Sequence, residues 1–392
     1  MSTPIPPPEV REAPGGAEES TPSPVAAADR GGPARPSGTL GLLIRRQTIV
    51  VPLVALAAAF SVGALLIRSQ GVNPAYAYES LFSYALLDGS GLTATLQKVV
   101  PLVLCGLAVA IPLRLGLFNI GGQGQFMVGA IGAAAAAYAL RSAPGIVTII
   151  VTMVVGVLAG SMWASIAGLL KAARGVHEVI STIMLNSVAG GLIDWMLNGP
   201  LADEQVPYPA SHAVPGSAQL PPIGVVPIGL PVAVTLAVAT AWLLRRTTIG
   251  FRFETVGRNR YAASYAGISI RTTTVVAMGI AGGCAGLSGG IELVGVEPYR
   301  YQDGIAASLG FDGITIALLA RGNPIGTIPA ALLVAAMRAG APHLALDTGL
   351  RPEIVDMVLA ITLLFVSLPL VVKLIFRKHA AKGSQLASSW GA

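Results

Sequence analysis

Runs of apolar residues separated by short polar connections fill most of this chain, and their lengths set the first prediction. A helix needs about 20 apolar residues to cross a bilayer core. Ten segments meet or approach that length: 48–67, 93–113, 116–140, 145–170, 178–198, 223–244, 272–295, 306–320, 324–341 and 352–375. Ten-residue stretches of alternating polarity, the mark of an outer-membrane barrel, are absent from the sequence. The eighth segment is short and interrupted by Gly310, Asp312 and Gly313, which predicts a half-helix. Two connections are more than simple loops. The stretch 73–89 is aromatic and amphipathic and suits the membrane surface, and the Pro-rich stretch 200–222 reads as an extended outer loop.

Charge orients the segments. With the N-terminus inside, the inner connections hold most of the lysines and arginines, including Arg45, Arg46, Arg245, Arg246, Arg258 and Arg260. The outer ones hold Arg68, Lys98, Arg141, Arg300, Arg338 and Arg351. Basic residues favour the cytoplasmic side, so both termini are placed in the cytoplasm. The fold expected is an all-α polytopic membrane protein of about ten transmembrane helices in two inverted halves, the arrangement of many transporters. Eight spans with one re-entrant pair would keep the same orientation. The two halves hint at a correspondence. "GLFNIGGQGQ" (116–125) opens the third segment and "GFDGITIALL" (310–319) the eighth, each with Gly, Phe and a short polar side chain at a helix start.

Composition agrees with this picture and excludes others. The chain is 53% hydrophobic and 11% charged, against about 25% charged for a soluble domain, and its mean hydropathy is +0.70. The net charge of +6 sits at the ends of apolar runs and does not indicate nucleic acid as a partner. Cys105 and Cys284 fall inside apolar runs and suit packing, and the four histidines are too scattered for a metal site. Residues 1–39 contain nine prolines and few large apolar side chains, so a disordered cytoplasmic tail is expected there. A transmembrane domain over 40–380 and a cytoplasmic C-terminal tail over 381–392 follow.

Five stretches are candidates for chemistry. No phosphate-cradling G-x-x-x-x-G-K-[ST] loop occurs, and no catalytic triad or carboxylate pair stands out, so the chain does not read as an enzyme. In "FNIGGQGQF" (118–126), Asn119 and Gln123 are four apart and would share a helix face. Amides in a membrane segment must face protein or water; a path lining and interhelical hydrogen bonding are both open readings. "HEVISTIMLN" (177–186) puts Glu178 at a helix start, where a carboxylate suits the dipole, and Thr182 and Asn186 on one face. In "TTIGFRFETVGRNRYAASYAGIS" (247–269) a short helix is expected between Gly257 and Gly267. Gly282, Gly286 and Gly290 recur every fourth residue, a helix-packing face. Asp312, beside irregular backbone, should line a cavity or pair with a partner such as Arg321.

Together, "GLFNIGGQGQFMVGA", "HEVISTIMLN", "ETVGRNRYAASYAGI" and "GFDGITIALLARGNPIG" resemble the permease subunits of bacterial ABC importers in the branched-chain amino acid and sugar superfamily, the nucleoside-type (simple-sugar) permeases most of all. The likeness covers residues 45–375, with Gln123 standing where the family often has Glu. It implies a multi-pass subunit of the plasma (inner) membrane that works with a second permease, identical or homologous, two cytoplasmic ATPase subunits and an extracytoplasmic substrate-binding protein. It implies that ATP is bound by the partner subunits and that this chain holds no cofactor. The solute implied is a nucleoside, with a simple sugar or branched-chain amino acid as alternatives. Phe118, Asn119, Gln123, Asn186, Phe311 and Asp312 are the expected path residues. Glu254, Gly257, Arg258, Asn259, Arg260, Ala262, Ala263 and Gly267 are the expected ATPase-coupling loop. An ATPase-independent secondary transporter is the rival from another class.

Overall fold

The computed structural model describes residues 38–302, 304–306 and 308–367 of the chain, with side chains from 53 to 365. Its contacts divide it into two units, residues 1–46 and 47–392; in the first, 38–46 are helical, and the second is a helical bundle. The expected tails lie outside the described residues, apart from Gly38 and Thr39, which begin the first helix. In chain order the helices are α1 (Gly38–Ser69), α2 (Pro74–Leu87), α3 (Gly89–Leu113), α4 (Gly122–Ala139), α5 (Gly145–Arg174), α6 (Glu178–Leu197) and α7 (Gly229–Arg246), then α8 (Thr248–Arg258), α9 (Arg260–Tyr265), α10 (Ile270–Gly295), α11 (Leu309–Leu319), α12 (Thr327–Thr348) and α13 (Glu353–Ser367). Three isolated bridges are the sole strand-like pairings among the described residues.

Each of the ten apolar segments holds a helix. By length and apolarity α3, α5, α6, α7, α10 and α12 are long enough to cross a membrane. The stretch of α1 from Leu53 and α2 would make a seventh span, bent by 114°. Two glutamines in its first turn set α4 apart. The 11 residues of α11 reach about 16 Å, half of a core about 30 Å thick.

The stretch expected at the membrane surface is α2, and one of its faces packs on protein. Asn73 caps its start, and Ala77, Ser80, Leu81 and Ala85 are buried. The Ser80 hydroxyl donates to Asp347 of α12 at 2.6 Å, and Tyr84 stacks on His343 of α12 at 4.3 Å. Asp88 then caps α3 by accepting from the N–H groups of Ser90 and Gly91, and the bond from the Ser90 hydroxyl holds its carboxyl below the usual value.

At the centre lies α3, buried without interruption from Val99 to Pro112. Beside it, α10 packs on α4 and α5 through glycines, because small residues let membrane helices touch backbone to backbone. A Cβ on Gly282 would lie 2.3 Å from the Gly160 carbonyl oxygen, and one on Gly286 2.1 Å from that of Gly156. The third close approach belongs to Gly289, whose Cβ would meet the Phe126 carbonyl at 2.5 Å. Gly290 meets Met153 at an ordinary 3.6 Å. The four-residue repeat is therefore tight at two of its three positions, since the third step of the face turns to residue 289. Cys105 and Cys284 are both buried free thiols in the packed interior. Gly286→Leu is expected to cost at least about 1–3 kcal/mol, and Gly290→Ala no more than about 0.5 kcal/mol, read by unfolding of the purified chain in mixed detergent micelles.

Candidate functional site

Two helix starts meet inside the bundle. After α3 the chain turns at Gly116, whose φ of 70° is left-handed, and runs back alongside α3. There Asn119 Nδ2 donates to the Ala108 carbonyl at 3.1 Å, and α4 begins three residues later, at Gly122. On the other side α11 abuts α3: a Cβ on Gly313 would lie 2.7 Å from the Cys105 carbonyl oxygen. Both starts thus sit level with residues 105–108 of α3, within the length of a crossing helix. They touch each other, since a Cβ on Gly310 would lie 2.3 Å from the Gln123 Cα. The two sequence stretches that begin with Gly, Phe and a polar residue are brought together here.

A helix start leaves N–H groups unpaired, and lipid cannot satisfy them. Amide side chains do so. Asn186 of α6 accepts from the Gly124 N–H at 2.9 Å and donates to the Ile120 carbonyl at 3.0 Å. Gln123 Oε1 accepts from the Gly310 N–H at 2.9 Å, while its Nε2 donates to the Ala306 carbonyl at 3.5 Å. An ionised Glu at this position would keep the first bond and lose the second. Thr182 lies one turn before Asn186 on the same face, and a Cβ on Gly121 would sit 3.0 Å from its Cβ. Glu178 stands at the start of α6, paired with Lys171 of α5 at 2.9 Å.

Asn119 does not share a helix face with Gln123, because it precedes α4 in a non-helical segment. It is fully buried. Its Oδ1 accepts from the Gly121 N–H at 3.1 Å, and it exchanges two bonds with Gln125, at 3.0 and 2.9 Å. Gln125 is absent from the sequence candidates. Its amide was visible in "GGQGQ", but the pairing requires the turn at Gly116, which helical periodicity does not register.

Asp312 pairs with Arg338 of α12 and not with Arg321. Arg338 Nη2 donates to Asp312 Oδ1 at 2.9 Å and to the Ser308 hydroxyl at 2.6 Å, and its Nε donates to Asp312 Oδ2. Its Nη1 lies 3.0 Å from Asp356 of α13. Arg321 follows the far end of α11, about 14 Å along the helix from Asp312. Arg338, placed by its charge in a connection, is midway along α12 and ties three helices together. Two carboxylates to one guanidinium leave the cluster formally negative. Beside it Phe311 is 44% exposed, and Gln123 and Phe118 are partly exposed, so the rim of the meeting point presents the Gln123 amide and the Phe311 ring.

At the bundle end near Arg114, α8 and α9 form the 247–269 connection. Thr247 and Asn259 cap the two helices. The expected short helix is α9, and Gly257 belongs to α8. Ala263 is fully buried, and Gly257, itself exposed, lies so close to the bundle that a Cβ there would meet the Arg114 carbonyl oxygen at 2.0 Å. Arg258, Asn259, Arg260 and Ala262 are exposed, with Tyr261 at 82% and Tyr265 at 93%. Glu254 pairs with Arg258 at 2.5 Å on this surface, and Gly267 closes the turn with a left-handed φ of 75°.

Residues 91–367 match the family described as "Branched-chain amino acid transport system / permease component". The chain belongs to this family. It is a multi-pass membrane protein and a transporter component rather than an enzyme. The permease is 33% identical over 345 residues to the guanosine ABC transporter permease protein NupP of Bacillus subtilis, covering 87% of this chain and 99% of the relative. It is 32% identical over 359 residues to the nucleoside ABC transporter permease protein NupB of Lactococcus lactis, at 88% and 98%. It is 33% identical over 327 residues to the glucose ABC transporter permease protein TsgB13 of Haloferax volcanii, at 80% and 86%. No solved structure matches the permease.

Removing one member of a buried ion pair strands the other. Arg338→Gln is therefore expected to lower stability by about 3–5 kcal/mol, and adding Asp312→Asn to recover part of that loss. A double-mutant cycle in mixed micelles measures the coupling; additive losses would show that the pair contributes nothing.

Proposed function

We propose that this chain is a permease subunit of an ATP-driven importer that moves nucleosides across the bacterial plasma membrane. The support that carries this reading is the near full-length likeness to permeases named for guanosine and nucleosides, together with the chemistry of the meeting point. Amides suit the hydroxyls and base edges of a neutral solute, and Phe311 suits its ring face. In this reading Gln123 and Phe311 line the path, with Phe118 beside them. Asn119, Asn186 and Asp312, whose polar groups are engaged within the chain, shape the wall. About ten helices form two inverted halves around it, with both termini in the cytoplasm.

The partners proposed are a second permease, identical or homologous, two cytoplasmic ATPase subunits that bind ATP, and an extracytoplasmic binding protein. The exposed α8–α9 surface, with Arg258, Arg260, Tyr261 and Tyr265, is the ATPase dock, which argues against a secondary transporter. Arg258 and Arg260 would pair with acidic groups there, while Gly257 and Ala263 seat the dock on its own bundle. A second reading, a sugar importer, is favoured by the glucose permease relative.

Cells lacking the gene should lose uptake of labelled guanosine and uridine, with competition in wild-type cells by unlabelled nucleosides and not by glucose or leucine. Competition by glucose alone would replace the nucleoside reading with the sugar one. Separately, Arg258→Glu with Arg260→Glu should release a co-purifying ATPase from the permease. Retention of that ATPase would move the dock elsewhere.

A further inference from the structure

The end of the bundle opposite α8–α9 carries a packed cap that the candidate site does not use. The 200–222 connection, expected as an extended loop, is stitched to residues 299–302. The Ser211 N–H donates to the Tyr301 carbonyl at 2.8 Å, the Val214 N–H to that of Tyr299 at 2.7 Å, and the Tyr301 N–H to Ser211 Oγ at 2.9 Å. Ala210 and Gln302 form a bridge. One ion pair pins the two segments: Arg300 Nη1 donates to Asp203 Oδ2 at 2.9 Å, with side chains 18% and 7% exposed. The other Asp203 oxygen accepts from the Gln205 N–H at 3.1 Å and lies 3.7 Å from His212 Nδ1. The His212 ring stacks on Tyr138 of α4 at 4.1 Å.

From Arg300 the chain runs into the candidate site within ten residues. Along it the Ile305 N–H donates to the Gln302 carbonyl at 3.2 Å and the Leu309 N–H to the Ala306 carbonyl at 2.9 Å. Tyr301, Ala306 and Leu309 are buried. The Ala306 carbonyl also receives Gln123, which holds Gly310. Packed elements shift between discrete arrangements rather than deforming smoothly. These two turns and three buried side chains anchor the described residues of the run at both of its ends, and separating Asp203 from Arg300 would leave a largely buried charge uncompensated.

We propose that the 200–214 cap, the 299–302 ribbon and the start of α11 move as one lever pinned by Asp203 and Arg300. Arg300 is then a positioning residue for the Gln123–Gly310 contact, and an event on the cap face reaches that contact. Naming the cap face extracytoplasmic rests on the importer reading; the linkage itself does not.

Hydrogen exchange on the chain in lipid nanodiscs tests the linkage without any transport assay. Asp203→Asn and Arg300→Gln should each speed exchange roughly tenfold or more in 200–214 and 299–302, and also at Gly310 and Asp312. Residues 330–336 of α12 should stay as in wild type. The reciprocal swap, Asp203→Arg with Arg300→Asp, should restore protection at Gly310 and Asp312. A rise confined to 200–214 and 299–302 would overturn the lever and leave a local brace. A second arm uses the assembled transporter. Ala210→Cys with Gln302→Cys, at bridge spacing suited to a disulfide, should transport within about twofold whether oxidised or reduced. A block relieved by reductant would overturn the proposal, because the cap would then have to leave the ribbon during transport. Absent uptake in the wild type would count against the importer reading, while the exchange result would still decide the lever.

Discussion

A backbone N–H inside a bilayer must find its partner within the protein, and the starts of α4 and α11 impose that demand at a single place. The starts of α4 and α11 meet beside residues 105–108 of α3, where no solvent-facing loop can serve them. Asn186 accepts from Gly124, Asn119 from Gly121 and Gln123 from Gly310. Each amide also fixes a neighbour, Asn119 through its second bond to the Ala108 carbonyl. Asn186 fixes α6 against α4, Asn119 fixes the returning segment against α3, and Gln123 fixes α4 against α11. Glycines at 122, 124 and 310 follow from the same demand, since backbones this close leave little or no room for a side chain.

This arrangement separates two kinds of polar residue. Asn119, Gln125 and Asn186 spend their hydrogen bonds on the chain and serve as the frame. Gln123 and Phe311 keep part of their surface free at the rim of the meeting point. Asp312 belongs to the frame as well: its charge suits the first turn of α11, and Arg338 neutralises it while reaching Ser308 and Asp356. Frame and rim are adjacent, so a shift of α11 relative to α4 changes the rim directly. The cap and the α8–α9 surface sit at opposite ends of the bundle, the cap joined to this centre by the ten residues after Arg300 and the α8–α9 surface by the packing of Gly257 on Arg114.

What the sequence disclosed follows from what is local. Apolar run length located a helix in all ten segments and marked α11 as half-length. The spacing of Thr182 and Asn186 put both against the start of α4, and the glycine pattern of α10 located its tight face at Gly282 and Gly286. What escaped depends on long-range pairing. Arg338 looked like a topological charge because its partners lie 26 and 18 residues away on other helices. Asn119 looked helical because nothing in its period reveals the turn at Gly116. The stretch 200–222 reads as an extended loop because Asp203 meets Arg300 across 97 residues.

The proposed path has the rim formed by Gln123 and Phe311 facing the solute, with Asn119 behind it in the frame. Thiol labelling in the assembled transporter tests this most directly, since the native Cys105 and Cys284 are buried. Gln123→Cys and Phe311→Cys should react with a small water-soluble maleimide and be shielded by nucleoside-loaded binding protein, while Asn119→Cys stays unlabelled. Labelling of Phe311→Cys by lipid-soluble reagents alone, with no shielding by solute, would contradict the account and place that face against lipid.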